Sequence, residues 1–409
     1  MSKKIEVAER ESRPVWDSLE EFLRVRVQEL VQQLLEAEVS EYLGRVKSER
    51  REPGERGYRN GYGKPRRLTL ANGTIEVRRP RIRDLEARFE SQILPLFLRQ
   101  TKGITALLPE LYLHGLALGD FDQAMRGLLG PGAPLSASTM LRVKQAWQAE
   151  YETWKRRDLS DLELVYCWAD GLYVKAGLED GKAALLVVVG ALANGQKVLL
   201  AVESGQRESI PSWSRVLRDL TARGLRAPRL LVADGHLGIW GAQREFWPET
   251  KEQRCWNHKI MNVLDQVPRK HQPSVRGRLR EMMYAETRAE ATRKRDECIA
   301  VFRKLCPQAM ETLQRDWDRM VAYFDFPKEH WHHLRTTNII ESPFAAVRLR
   351  TDAGKRFKRV DNATALIWKI LRLAERRFRT LRAPHLLPSV AAGIEYVDGI
   401  RKVSERMAA

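Results

Sequence analysis

The sequence predicts an α/β protein whose core is a mixed β-sheet with helices on its faces. Two observations indicate the sheet: short apolar runs follow one another from residue 161 to residue 256, and two of them end in an Asp-Gly pair, at Asp170 and at Asp234. A third observation, apolar residues at helical spacing between residues 266 and 331, predicts an all-helical insertion into this core. A mainly helical N-terminal region containing a β-hairpin precedes it.

Composition limits the class of protein. The 409 residues include 71 Lys and Arg against 53 Asp and Glu, and the net charge of +18 favours a polyanionic partner such as nucleic acid. The longest apolar run, residues 183–193, is shorter than the roughly 20 residues of a membrane-spanning helix. Because the N-terminus has no signal-peptide core and the four cysteines form no disulfide framework, we expect a cytoplasmic protein with no membrane partner.

The N-terminal region, residues 1–100, is predicted to begin with a helix at about Ser18, where Ser18 to Glu21 fits a capping box. One helical face is expected to be buried, and it carries Leu19, Leu23, Val27, Leu30 and Leu34. Residues 45–83 then carry 13 Lys or Arg against 4 acidic residues. This basic arm is expected to bind DNA.

Within the basic arm, residues 68–77 predict a β-hairpin, since Asn72-Gly73 suits a type I′ turn. Six arginines flank its open end: Arg66, Arg67, Arg78, Arg79, Arg81 and Arg83. They are interpreted as phosphate contacts; the alternative is an ordinary solvated basic surface.

Residues 101–160 predict a module of three helices. The first ends near Gly119, the second spans residues 120–129, and the third runs from Ser136 to about Arg157. A helix, a glycine turn and a helix that opens with polar residues are typical of a helix-turn-helix that contacts base edges. Plain packing of three helices would give the same pattern.

The core begins with residues 161–265. Strands are predicted at residues 162–169, 173–176, 183–193 and 197–203, a helix at 210–223, and further strands at 229–233 and 252–256. Three antiparallel strands followed by a helix and more strands match the order of a ribonuclease H-like fold. In that fold the first carboxylate lies on the first strand and the second follows the fourth strand, which are the places of Asp170 and Asp234.

Four spaced blocks resemble the signature blocks of the Mutator-type transposases of bacterial insertion sequences. They are residues 169–175, 232–238, 253–263 and 335–342, and the similarity also includes residues 57–62 and the Arg-Arg-Pro-Arg segment near residue 80. The resemblance implies an Asp-Asp-Glu transposase whose ribonuclease H-like core is interrupted by a helical insertion, residues 266–331, and resumes at residues 332–385. It also implies Mg²⁺, recognition of terminal inverted repeats in double-stranded DNA, and action as a homodimer or larger homo-oligomer.

Asp170, Asp234 and Glu341 are the candidate metal ligands. Carboxylate oxygens are the ligands that Mg²⁺ prefers, and two such ions would activate the attacking hydroxyl and stabilise the leaving oxygen, with Mn²⁺ as a substitute. Asp170 is predicted to bridge the ions. Each carboxylate alone could equally be a cap, a turn residue or a surface charge. Because Pro343 follows Glu341 closely, the helix that carries Glu341 is expected to begin at about residues 338–342.

Cys255 and His258 are separated by two residues, as in half of a zinc site, but no second pair lies nearby in the sequence. We therefore interpret them as residues that brace the candidate site, with His258 contacting a scissile phosphate or a carboxylate and sharing in catalysis. Trp317 and Trp331 could stack on a DNA base by analogy with related transposases, although burial in the core suits Trp317 better.

A basic helix from about Ala363 is predicted to present a cationic row to DNA, namely Lys369, Arg372, Arg376 and Arg379. Residues 386–409 are expected to form a C-terminal tail. Two other classes of protein stay open: a DNA-binding regulator that has lost catalysis, and a ribonuclease H-like nuclease that cuts without joining.

Overall fold

The computed structural model describes residues 18–50, 52, 55–85, 89–95, 101–116, 118–129, 137–176, 182–205, 207–235, 237–354 and 357–402. The chain divides into two compact units, with the division between residues 143 and 144. Across the described ranges, every helix is too short or too polar to cross a membrane.

The first unit begins with α1 (Leu19–Leu43), which ends at Gly44 in the left-handed conformation. Its predicted buried face was wrong in part: Leu23, Leu30 and Leu34 are about half exposed, whereas Val27 packs against the apolar core of this unit. The buried residues are Leu35 and Val39, on the neighbouring row of the helix. That row packs against the hairpin described next. The predicted capping box was also wrong, since the Ser18 side chain does not cap α1.

Four short strands follow, in two antiparallel pairs: β1 (Tyr58–Tyr62), β2 (Arg66–Leu70), β3 (Gly73–Val77) and β4 (Pro80–Arg83). The β2–β3 pair confirms the hairpin, and β1 pairs with β4 outside it. The turn differs from the predicted type I′. Leu70 pairs with Gly73, so Ala71 and Asn72 form the turn, and the positive φ of 119° lies at Gly73. A type I′ turn needs positive φ at both central residues.

Three helices follow the strands, as predicted: α2 (Lys102–Leu113), α3 (Leu118–Leu129) and α4 (Ala137–Lys155). The first ends earlier than expected. Gly115 has a φ of 107°, which a helix cannot accommodate, and Gly119 belongs to α3. DNA recognition by these helices stays a prediction. The division between the two units falls within α4.

The second unit contains the predicted mixed sheet. Its elements in chain order are β5 (Leu164–Lys175), β6 (Lys182–Leu192), β7 (Lys197–Gly205), α5 (Ile210–Ala222), β8 (Leu230–Ala233), α6 (Leu237–Phe246) and β9 (Lys251–Arg254). The strand order is β7-β6-β5-β8-β9, with β5, β6 and β7 antiparallel and with β8 and β9 parallel to β5. Helices α5 and α6 contribute Trp213, Leu217 and Trp240 to the apolar core on one face of the sheet.

One strand replaces the two that the sequence predicted around Asp170. β5 runs without a break through Asp170 and Gly171, because β6 pairs with it from Leu164 to Lys175. Asp170 is therefore buried inside a strand, at 8% exposure, and not at an exposed strand end.

The rest of the second unit is almost entirely helical, as predicted for residues 266–331. Its elements are α7 (Trp256–Leu264), α8 (Gln272–Met283), α9 (Arg288–Phe302), α10 (Pro307–Gln314), α11 (Trp317–Met320), α12 (Trp331–Leu334), α13 (Asn338–Gly354), α14 (Val360–Glu375), α15 (Leu387–Ala391), β10 (Tyr396–Val397) and β11 (Ile400–Arg401). The expected tail is instead partly structured. Helix α15 contacts β5, and the β10–β11 hairpin is joined to the insertion by a 3.1 Å bond from Gly399 N to Phe324 O.

Candidate active site

The register of two parallel strands brings Asp170 and Asp234 together. The last paired residues of β5 and β8 are Ala169 and Ala233, so Asp170, within β5, and Asp234, directly after β8, are the next residues along the two chains. Both alanines belong to the core under α5 and α6. Since successive strand residues point to opposite faces, the two carboxylates share the other face of the sheet.

Helix α13 packs against β5 and carries Glu341 in its first turn. The surroundings of Asp170 include the other two acids. Burial first, and then the charges of Asp234 and Glu341, together raise the pKa of Asp170 from 3.8 to about 7, against the bond from Gly171 N and the charge of His258. Three carboxylates from separate segments therefore concentrate negative charge in one place.

Pro343 does not displace Glu341 from the first turn of α13. Helix α13 begins at Asn338, within the predicted range, and Pro343 lies in its second turn. Proline cannot donate to the carbonyl oxygen four residues earlier, that of Ile339. The bond that holds Glu341 is a different one, from its own N–H to Thr337 O at 3.0 Å.

Cys255 and His258 lie beside Glu341, and Thr337 joins all three. The Thr337 hydroxyl lies 3.2 Å from Cys255 Sγ and 3.5 Å from His258 Nδ1, and it donates to Glu341 Oε1. Thr337 N also donates to Cys255 Sγ, at 3.4 Å. Thr337 lies within the 335–342 block but was not predicted, because nothing in the sequence shows that its hydroxyl faces these groups.

The ligand atoms of Cys255, His258 and Glu341 lie within 4.8 Å of one another, which is close enough to hold a metal ion. However, the Thr337 hydroxyl contacts all three groups. A structural zinc site also needs a fourth ligand. The geometry favours the interpretation that these residues brace Glu341.

The surroundings of His258 favour its protonated form. Its hydrogen bond with Cys255 is the largest of the effects that raise its pKa to about 9, and the charges of Glu341 and Asp170 contribute to this value, against the effect of burial. Its Nδ1 lies 3.8 Å from Glu341 Oε1. The site thus holds one positive group beside three carboxylates.

The family model described as "Transposase, Mutator family" matches residues 2–380. The chain belongs to this family. It is 43% identical over 296 residues to the transposase for insertion sequence element IS6120 of Mycolicibacterium smegmatis, covering 72% of this chain and 92% of that protein. It is 39% identical over 281 residues to the transposase for insertion sequence element IST2 of Acidithiobacillus ferrooxidans, covering 68% and 95%. The transposase for insertion sequence element IS256 in transposon Tn4001 of Staphylococcus aureus is 25% identical over 343 residues, covering 83% and 86%.

In this Mutator-family chain, the six arginines that flank the hairpin fall into two groups. Arg66 and Arg79 are half-buried and donate to main-chain carbonyls, at 3.2 Å to Pro95 O and 2.6 Å to Phe89 O. The others are exposed: Arg67, Arg78, Arg81 and Arg83. A groove of about 670 Å³ runs along this surface, and its cationic lining residues are Lys64, Arg66, Arg79, Arg81 and Arg83.

The predicted cationic row on the last long helix was wrong in two respects. Lys369 is paired with Glu150, and Arg372 is paired with Glu375. Helix α14 ends at Glu375, so Arg376 is its C-cap and Arg379 lies beyond it. Arg376 and Arg379 are exposed and stay candidates for DNA contact.

Trp317 and Trp331 are core residues, at 7% and 2% exposure. Trp317 Nε1 donates to Thr292 Oγ1 at 3.1 Å, and Trp331 Nε1 donates to Phe326 O at 2.8 Å. The packing interpretation therefore fits both, and base stacking would require either ring to leave its place.

Proposed function

We propose that the chain is the transposase of an insertion sequence. It would bind the element's terminal inverted repeats and catalyse Mg²⁺-dependent strand cleavage and strand transfer. The observation that carries the proposal is the side-by-side register of Asp170 and Asp234, with Glu341 close enough to raise the pKa of Asp170. Membership of the Mutator transposase family and the names of the relatives support the same activity.

The strand order supports a ribonuclease H-like core. Three antiparallel strands lead to two parallel ones, the first carboxylate is on the first strand, and the second follows the fourth. The third carboxylate comes after the helical insertion, on α13.

The donor set fits Mg²⁺, because three carboxylates supply the hard oxygen ligands that this ion prefers. Asp170, Asp234 and Glu341 would hold the ions. Burial is the largest cause of the raised pKa of Asp170, and repulsion from Asp234 and Glu341 adds to it; a divalent cation would relieve that repulsion. When bound, such ions activate the attacking water or 3′ hydroxyl and stabilise the leaving oxygen.

The surrounding side chains hold this ligand set. Thr337 donates to Glu341 and so fixes one carboxylate oxygen, while Cys255 anchors Thr337 from a fully buried position. Protonated His258 is suited to contact a scissile phosphate, since its positive charge lies beside the carboxylates.

The partner would be double-stranded DNA, both the element ends and the target. The net charge of +18 and the exposed arginines of the basic arm support this. Because two ends must be brought together, the working form would be a homodimer or a larger homo-oligomer.

A strand-transfer assay with labelled element ends, target DNA and Mg²⁺ tests the proposal. A transposase cleaves the ends and joins them to the target. A regulator without catalysis binds the ends and leaves them intact, and a nuclease cleaves without joined products. If folded protein that binds the ends gives either of the last two results, the proposal is contradicted.

A further inference from the structure

Arg254 holds the main chain beside Asp234. It is the last residue of β9, pairs with Ala233 of β8, and is 9% exposed. Its Nε donates to Asp234 O at 3.3 Å. With the Asn262 amide oriented to satisfy its neighbours, Asn262 Oδ1 accepts from Arg254 Nη2 at 2.9 Å.

The third side of the guanidinium is held by the helical insertion. Arg254 Nη1 donates to Asp316 Oδ2 at 2.8 Å. Asp316 precedes α11 and has a left-handed φ of 62°. It also lies 3.1 Å from Arg319 Nη1 and 3.9 Å from Lys259 Nζ. One carboxylate thus organises several cations behind the candidate site.

Gly235 shows how closely this arginine approaches the turn after Asp234. Its φ is 100°, and a Cβ at this position would lie 2.2 Å from Arg254 Nε. Since a real Cβ atom cannot approach that closely, any side chain here would displace the guanidinium. A glycine after Asp234 is therefore required by the close approach of Arg254 as well as by the turn.

We propose that Arg254 and Asp316 are positioning residues for the metal site, a role that rests on the proposed function. The planar guanidinium reaches the Asp234 carbonyl, Asn262 and Asp316 with three different nitrogens, and so fixes the main chain that carries the Asp234 carboxylate. A lysine keeps the charge but has one nitrogen, and cannot reach all three. The helical insertion would thereby set the place of a ligand that lies 82 residues earlier in the chain, at position 234 against 316.

The test is Mn²⁺ binding to the full-length protein, measured by electron paramagnetic resonance, together with the midpoint of thermal unfolding. Arg254→Lys is expected to weaken Mn²⁺ binding about 10- to 100-fold, as for other residues that orient metal ligands. Arg244→Lys is the matched control. Arg244 donates to Trp240 O and pairs with Glu252, away from Asp316, and wild-type affinity is expected.

A second variant covers the case in which Arg254→Lys does not fold. Asp316→Asn keeps an oxygen acceptor and tolerates the left-handed φ, and it should weaken Mn²⁺ binding in the same direction. Asp318→Asn, two residues along at an exposed position, removes the same charge and should leave the affinity unchanged.

Asp234→Ala separates the two proposals. If it abolishes Mn²⁺ binding while folded Arg254→Lys, or Asp316→Asn in its place, binds Mn²⁺ as wild type does, the metal site stands and the positioning role is overturned. A loss of thermal stability at unchanged Mn²⁺ affinity also overturns the positioning role, since it shows a purely structural arginine. If Asp234→Ala itself retains wild-type affinity, the metal site fails, and the positioning role fails with it.

Discussion

Replacing Asp170 with asparagine is expected to stabilise the metal-free protein at neutral and alkaline pH. Asparagine has the same shape and keeps an oxygen to accept the 2.8 Å bond from Gly171 N. It removes the charge that burial and the neighbouring Asp234 disfavour. Replacing a buried polar residue usually destabilises a protein, so a gain in the free energy of unfolding would be informative.

The magnitude follows from the pKa of Asp170, which is 3.8 ordinarily and about 7 in the folded protein. Because the folded pKa is the higher one, the unfolded chain loses its proton first as pH rises, and the folded state loses stability between pH 3.8 and about 7. At about 1.4 kcal/mol per unit, the cost is about 1.5 kcal/mol at pH 5 and about 4 kcal/mol at pH 8. Asp170→Asn should recover these amounts.

Urea unfolding in the presence of EDTA, at pH 5 and pH 8, measures the difference. Asp158→Asn is the control, because the pKa of Asp158 is shifted in the opposite direction: the Ser160 hydroxyl lowers it. Removing the Asp158 charge should therefore not stabilise the protein. Saturating Mg²⁺ should stabilise wild type and reduce the advantage of Asp170→Asn. If Asp170→Asn is no more stable than wild type at pH 8, the carboxyl is not buried among like charges as described.

Three further outcomes are expected. Thr337→Val should lower the rate of strand cleavage about 10- to 100-fold with end binding unchanged, because Glu341 loses its hydroxyl donor. Thr336→Val should leave the rate unchanged. Equal cleavage rates in the two variants would contradict the role of Thr337 in holding Glu341. Replacing Arg67 and Arg81 with glutamine should reduce the slope of log binding constant against log salt by about 2, since each phosphate contact contributes about 0.9, and an unchanged slope would remove both residues from the interface. Trp317→Phe should leave the fluorescence of 2-aminopurine near the cleavage site unchanged, because the ring is buried; a changed signal would restore base stacking.

The sheet could be predicted because its strands carry their own signals. The apolar runs and the Asp-Gly pairs identify the strands, and the chain order of strands and helices matches a mixed sheet. The predicted end of a strand at Asp170 was wrong. Glycine after an aspartate usually ends a strand, but here β6 supplies hydrogen-bond partners on past Gly171, and a pairing partner is not visible in a local window.

The buried face of α1 failed for a related reason. Apolar residues occupy more than one row of this helix, and both rows fit a helical period. The hairpin packs on the row of Leu35 and Val39 and leaves Leu23, Leu30 and Leu34 exposed. Helical periodicity alone cannot choose between two such rows.

Within the candidate site, the carboxylates and Cys255 with His258 were predicted, whereas the residues that hold them were not. Thr337 and Arg254 act through contacts with distant segments, and neither residue type signals such a role. The predicted cationic row was wrong for the same reason. Lys369 is paired with Glu150, which lies 219 residues earlier, and a count of charges in the local sequence does not include it.

Strand cleavage by Asp170→Ala, with Mg²⁺ and labelled element ends, tests the central claim most directly. The measurement is made on protein that binds the ends as well as wild type does. If Asp170 holds the metal site together, this variant binds the ends and cuts neither strand. Cleavage at the wild-type rate would contradict the assignment of Asp170, Asp234 and Glu341 as the catalytic site.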